Sequence, residues 1–183
     1  MMELEEKLRN LHSLDLDPSR IQIVREITRS NASSIFALDL DGRKYVLKVY
    51  HGNGDPRYTE KGRAAISGAC ERWFVPCFYG DINQVDPAAF QPALQHFAED
   101  KLKPSAILLE YLPNAESLNC VNYSDTLYTQ AMEGMKDIHK AGVVHEDVYP
   151  KDIVRGKPDR LVWIDFDVAT TFADFGPKKL APL

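Results

Sequence analysis

The chain has 183 residues, 44% hydrophobic and 27% charged, the make-up of one ordinary globular domain or a small two-lobed unit, not of a disordered or fibrous chain. Its 22 Lys and Arg against 27 Asp and Glu give a net charge of -5, which argues against a general nucleic-acid coat yet leaves room for a nucleotide pocket needing only one or two cations. Cys70, Cys77 and Cys120 form no CxxC pair, so neither a disulfide framework nor a structural zinc site is expected.

Residues 2–12 carry Leu4, Leu8 and Leu11 at helical spacing and predict a short amphipathic helix. The start, Met1 to Glu6, is acidic and has no signal-peptide core, and no apolar run approaches the roughly 18–20 residues needed to cross a bilayer. The expectation is a cytoplasmic protein with no membrane and no nucleic-acid partner. After Pro18 the period changes. Ile21–Val24 and Ser34–Leu40 read as strands, Asp41-Gly42 is a strong two-residue hairpin signal, and Lys44–Tyr50 completes a third antiparallel strand. Asp55-Pro56 then predicts a helix start, and a helix over 57–71 is weakened by Gly62 and Gly68. Phe74–Gly80 and Ala106–Tyr111 read as two more strands, separated by a loop with some helix over 83–104 that carries three prolines. Tyr111–Asn114 marks a boundary. Ser124 caps a helix running to Lys140, with Leu127, Ala131, Met135 and Ile138 as its buried stripe and Gly142 as its stop. Short strands are expected around Ile153–Arg155 and Leu161–Ile164, and Trp73, Phe74 and Trp163 are expected as strand residues of the core. Cys120 is expected to be a buried or semi-exposed thiol.

Lys48 interrupts an apolar strand, flanked by Val46, Leu47, Val49 and Tyr50. An ammonium beside such neighbours either snorkels to water or needs an anionic partner, because an unpaired buried charge costs several kcal/mol. Asp147 and Asp152 lie five apart in a loop stiffened by Pro150, and Asp165 follows an apolar strand. Singly such acids are turn or cap residues; gathered from separate loops, they supply the oxygen ligands that hard cations and phosphates require.

Taken in order, these segments resemble the protein kinase-like superfamily, including its aminoglycoside-phosphotransferase-like branch. Tyr45-Val46-Leu47-Lys48 is similar to the Val-Ala-Ile-Lys strand, His145 to Asp152 to the His-Arg-Asp-x-x-x-x-Asn loop, and Asp165-Phe166-Asp167 to the Asp-Phe-Gly loop. The match spans roughly 21–170. It implies an α+β, kinase-like fold: an N-terminal helical extension (1–20), an antiparallel five-stranded N-lobe with one helix (21–112), and a minimal, truncated C-lobe (113–183). It also implies ATP and Mg²⁺ as cofactors. Lys48 would hold the α/β-phosphates and pair with Glu60, with Glu71 the substitute. Asp147 would take the proton of the accepting hydroxyl, Asp152 and Asp165 would bind metal, and backbone groups of Glu110 and Leu112 would hold adenine behind Leu109. His145 would support its loop.

The departures shape the expected activity. Thr28 to Ser34 stands where a glycine-rich loop belongs, leaving Ser33 and Ser34 to approach phosphate. Asp152 replaces Asn, Glu146 replaces the Arg that reads activation-loop phosphorylation, and Asp167 replaces Gly. Sixteen residues follow Asp167 where the family continues through several helices, so a truncated lower lobe is expected, with a face suited to a second copy or a protein partner. The reading is a minimal phosphotransferase moving phosphoryl from Mg-ATP to a hydroxyl acceptor, a small molecule in preference to a protein. The alternative is a pseudokinase that binds nucleotide or a partner without catalysis.

Overall fold

The computed structural model describes residues 20–52, 74–156 and 160–172. The helices expected over 2–12 and 57–71, with Glu60 and Glu71, lie outside the described residues, as do Cys70 and Trp73. The protein is α+β and forms two compact units. Of the described residues, one unit holds 20–52 and 77–111; the other holds 74–76, 112–156 and 160–172.

The first unit is a five-stranded antiparallel sheet of β1 (Ile21–Arg29), β2 (Ser33–Leu40), β3 (Arg43–Tyr50), β4 (Phe78–Ile82) and β5 (Ser105–Glu110), in the order β1-β2-β3-β5-β4. The β2–β3 hairpin closes through Asp41 and Gly42 at φ 52° and 79°, the left-handed pair that a two-residue turn requires. Asp39 Oδ1 accepts the Gly42 amide at 2.8 Å and holds the turn. Pairing runs from Leu40 opposite Arg43 to Ser33 opposite Tyr50 without a bulge, so alternation fixes the face of every side chain. Edge strand β1 instead carries two register shifts along a largely exposed run.

One sheet face carries Phe36 and Leu38 from β2, Tyr45, Leu47 and Val49 from β3, and Ala106 and Leu108 from β5. The 83–104 segment closes this face with Val85, Leu94 and Phe97. The segment has little regular structure beyond two 3-10 turns, Pro87–Phe90 and Gln95–Phe97. Polar contacts pin its rim: Ser34 Oγ meets His96 Nε2 at 2.9 Å, and Asp100 takes the Gly52 amide at 2.9 Å and faces His51 Nδ1 at 3.0 Å. A Cβ on Gly52 would lie 1.9 Å from the Leu102 carbonyl oxygen, so only glycine permits this approach.

The second unit is built on α1 (Asp125–Lys140) and short strands: β6 (Glu116–Ser117), β8 (Ile153–Gly156) and β9 (Arg160–Trp163) in one sheet, β7 (Val143–Val144) with β10 (Thr170–Thr171) in another. Ser124 Oγ accepts the Leu127 amide at 3.2 Å as N-cap, and Gly142, at φ 78°, follows the helix end. Ala131, Met135 and Ile138 are buried, whereas Leu127 is half-buried. Trp163 is fully enclosed, its indole N–H donating to the Ala131 carbonyl at 3.1 Å. A glycine in mid-helix costs about 1 kcal/mol against alanine; Gly134 is accounted for by the Phe74 ring, 2.8 Å from where its Cβ would stand.

The strand expected at Phe74–Gly80 begins only at Phe78. Residues 74–76 belong to the other unit, where the Phe74 and Val75 carbonyls accept from the Trp163 amide and the Arg160 guanidinium, both at 2.8 Å, and Pro76 has no N–H to give a ladder. Phe74 is therefore a half-buried turn residue and not a strand residue. Cys120 is exposed, against the expectation of at least partial burial. Among the described residues no helix is long and apolar enough to cross a membrane.

Candidate active site

Lys48 is 5% exposed on the sheet face opposite the Phe36–Leu108 core, with Ile35 and Ile107 directly beside it on the neighbouring strands. Its ammonium lies 5.4 Å from the centroid of the Tyr50 ring, which the two-residue period puts on the same face. Ser33, opposite Tyr50, shares that face. Ser34, opposite Val49, is on the other one, and its hydroxyl is engaged by His96. Of the two serines, only Ser33 is thus on the lysine's side of the sheet. At the end of β5, the Glu110 amide donates to the Cys77 carbonyl at 2.9 Å while its carboxylate accepts the Cys77 amide at 3.1 Å.

Asp147, Asp152 and Asp165 belong to the second unit, where His145 joins their two segments. Its imidazole is completely buried between Trp163 and Phe166, with ring centroids 5.5 and 4.6 Å away. Nε2 lies 2.8 Å from the Ile164 carbonyl oxygen, and Nδ1 lies 3.4 Å from the Asp147 amide nitrogen. A carbonyl can only accept and an amide can only donate, so Nε2 donates to Ile164 and Nδ1 accepts from Asp147. The Ile164 amide in turn donates to the Asp152 carbonyl at 2.8 Å. Both loops are thereby fixed within a residue or two of each acid.

Two left-handed non-glycine residues stand in these loops, Glu146 at φ 63° beside Asp147 and Asp165 itself at φ 66°. Such conformations cost of order 1–3 kcal/mol each and persist where the surroundings over-determine them, often at functional sites. His145 and the Ile164–Asp152 bond are surroundings of that kind.

Asp152 is buried, Asp147 is half-buried, and Asp165 is exposed. Lys151 joins the first two. Its Nζ lies 2.8 and 2.9 Å from the two oxygens of Asp152 and 3.3 Å from Asp147 Oδ2. The Asp152 hydrogen bonds, with Asp147 adding to them, hold the Lys151 ammonium above the ordinary lysine range, so it is charged at neutral pH. Nothing in the sequence analysis gave Lys151 a role. The available signal was its spacing, four residues after Asp147 and next to Asp152. Among the described residues no three His, Cys, Asp or Glu side chains gather as a metal site of their own. Carboxylate oxygens are nevertheless suitable donors for Mg²⁺, which takes one or two of them and completes its shell with phosphates and water. Leu112 packs beside Gly156, its Cδ2 3.9 Å from where a Cβ would stand there.

No protein-family model matches the chain, and no curated protein matches it.

Proposed function

We propose that the protein is a small kinase-like phosphotransferase that moves the terminal phosphoryl group of Mg-ATP to a hydroxyl acceptor. The observation that carries the reading is the buried His145, which locks the segments bearing Asp147, Asp152 and Asp165 to each other with two of their residues in left-handed backbone. A solvated turn needs no such anchoring.

Lys48 is the cation for the α/β-phosphates, with Glu60 its expected acid partner. Its position on an apolar face strengthens its interaction with anions, since charges attract more strongly away from water. The Glu110 amide is committed to Cys77, so this residue's share in adenine binding falls to its carbonyl, alongside the backbone of Leu112. Of the two serines, Ser33 is the one suited to approach phosphate. Asp165 and Asp152 provide the oxygen donors for magnesium, which when bound neutralises charge on the phosphates. Asp147 orients the acceptor hydroxyl and takes its proton. Glu146 in place of the phosphorylation-reading arginine favours a small-molecule acceptor over a regulated protein one. The engagement of both Asp147 and Asp152 by Lys151 is the observation favouring the second reading, a nucleotide-binding module without turnover.

A thermal-shift titration with ATP, with and without Mg²⁺, on the parent, Lys48→Met and Asp165→Ala tests the proposal. Ligand at one hundred times its Kd adds about 2.7 kcal/mol of stability. The expected result is a Mg²⁺-dependent shift in the parent that both variants lose. No shift in the parent, or equal shifts in all three, overturns the site. Mg²⁺-dependent ADP release with hydroxyl-bearing small molecules separates the phosphotransferase from the non-catalytic module.

A further inference from the structure

We infer that the outward stripe of α1 is a self-complementary surface on which a second copy of this chain docks, its own α1 running antiparallel and the two-fold axis passing at Met132. The inference lies wholly within the second unit and does not depend on the Mg-nucleotide reading.

The helix buries Ala131, Gly134, Met135 and Ile138. Asp125, Tyr128, Met132, Lys136 and His139, spaced three and four apart, form a separate stripe, and all of them are exposed. Its middle is apolar, with Tyr128 53% and Met132 41% exposed. The ring of Tyr123, just ahead of the helix, lies 6.5 Å from that of Tyr128 and prolongs the apolar surface, and Val121 stands 91% exposed beyond it. The loop that presents Val121 is fastened. Asn119 Oδ1 accepts the Val121 and Asn122 amides at 2.8 and 3.2 Å, and Asn122 Oδ1 accepts the Asn119 amide at 2.8 Å. Single exposed apolar residues are ordinary, whereas a row of them along one helix face marks a contact surface.

Charge identifies the occupant. Asp125 stands in the first turn of the stripe, and Lys136 and Lys140 stand in its last turns. An antiparallel copy centred on Met132 sets each residue opposite the one equally far beyond the centre. Met132 then meets Met132, Tyr128 meets Lys136, and Asp125 meets His139 with Lys140 beside it. Acid lies over base, an ammonium lies over an aromatic ring, and the helix dipoles oppose. A parallel copy would set like charges together. Lys140 Nζ is anchored 2.9 Å from Asp137 Oδ1 but its side chain is 65% exposed, and an ammonium has three donors, so it can serve a second carboxylate. Glu133, next to the axis, has Lys136 one turn away on its own helix. Every contact occurs twice, as a two-fold interface requires. The stripe is short, about 21 Å at the helical rise of about 1.5 Å per residue. It therefore belongs with interfaces below roughly 1,200 Å², whose association is weak and reversible.

Sedimentation velocity on the full chain, from micromolar to sub-millimolar concentration, tests the inference together with disulfide mapping of the register. The parent should pass from monomer to dimer over this range. Met132→Asp changes an exposed residue, should leave Tm unchanged, and should weaken dimerisation by about tenfold or more. For the mapping, Cys70, Cys77 and Cys120 are replaced by serine. Met132→Cys in that background should oxidise to a covalent dimer, because position 132 meets itself on the axis. Tyr128→Cys and Lys136→Cys should each stay monomeric alone and cross-link when mixed. A parent that is monomeric throughout would overturn the inference, leaving the stripe to a different partner. So would Met132→Asp dimerising as the parent does, or Tyr128→Cys cross-linking to itself as readily as to Lys136→Cys. None of these outcomes bears on nucleotide binding, so failure here and failure of the Mg-nucleotide reading are read separately.

Discussion

The 83–104 segment and the 145–152 loop are both stretches of largely irregular chain, and they are held in opposite ways. The first is fastened by apolar side chains, with Leu94 and Phe97 sunk into a sheet face. The second is fastened by backbone groups and one buried imidazole, while Val148 and Tyr149 project outward at 60% and 57% exposure. Apolar insertion is non-directional and fixes where a segment lies. Hydrogen bonds to Ile164 and Asp147 fix its angles as well, which a loop needs if carboxylates are to meet a ligand in a defined geometry.

That contrast can be broken most strongly at Phe97. Phe97→Ala should cost about 3–5 kcal/mol, the usual loss for a large buried aromatic, read as a lower urea midpoint. If the phenyl group is only a fastener, the remaining folded protein should bind nucleotide as the parent does. Truncating His145 should cost a comparable amount but act at the candidate site. His145→Ala strands the Ile164 carbonyl and the Asp147 amide, for about 1–3 kcal/mol each, and should abolish the Mg²⁺-dependent shift. His145→Gln, which can still donate to a carbonyl, should recover part of it. A variant that lost stability yet kept the full nucleotide shift would show that the loop angles do not depend on the imidazole.

The smallest expected effect concerns pH. Burial, helped by the nearby Arg29 and His51 and opposed by Glu26 and Asp100, lowers the affinity of His96 for a proton. The unfolded chain then takes up that proton first on acidification, so this contribution is complete above the ordinary histidine value of about 6.5 and declines as pH falls from there through the lowered folded value. Urea midpoints of the parent should therefore fall more steeply between pH 7.5 and 5 than those of His96→Asn. Parallel curves would remove the imidazole from the account of how the 83–104 segment is pinned.

Much of the sheet was legible because its signals are local. Asp41-Gly42 identifies the turn, and a two-residue hairpin fixes the pairing of Ile35 with Lys48 by counting outward. The same count separates Ser33 from Ser34, a step that residue type alone does not suggest. The Ser124 cap and the Ala131–Met135–Ile138 stripe identify the helix in the same local way. Phe74–Cys77 misled because its apolar, β-prone residues match a strand, while its hydrogen-bond partners, Arg160 and Trp163, are remote in sequence. The 83–104 segment reads as irregular, which it is, but its closure of the core depends on contacts that no local pattern encodes. Among the candidate residues, the acids and Lys48 stand out by type and spacing. Lys151 does not, because an exposed lysine is ordinary until its ammonium is seen on a buried carboxylate.

The uninterrupted pairing of β2 with β3 also sets how the chain tolerates insertions. Lys48 and Val49 face opposite sides of the sheet, so one added or deleted residue between the turn and Lys48 would aim an ammonium at Phe36 and Phe97 and carry valine to the lysine's place. No side-chain rotation can repair that exchange. Changes in length would therefore be tolerated at the edge strand β1, whose bulges already absorb shifts, and rejected in the central hairpin, where frame and chemistry are the same property.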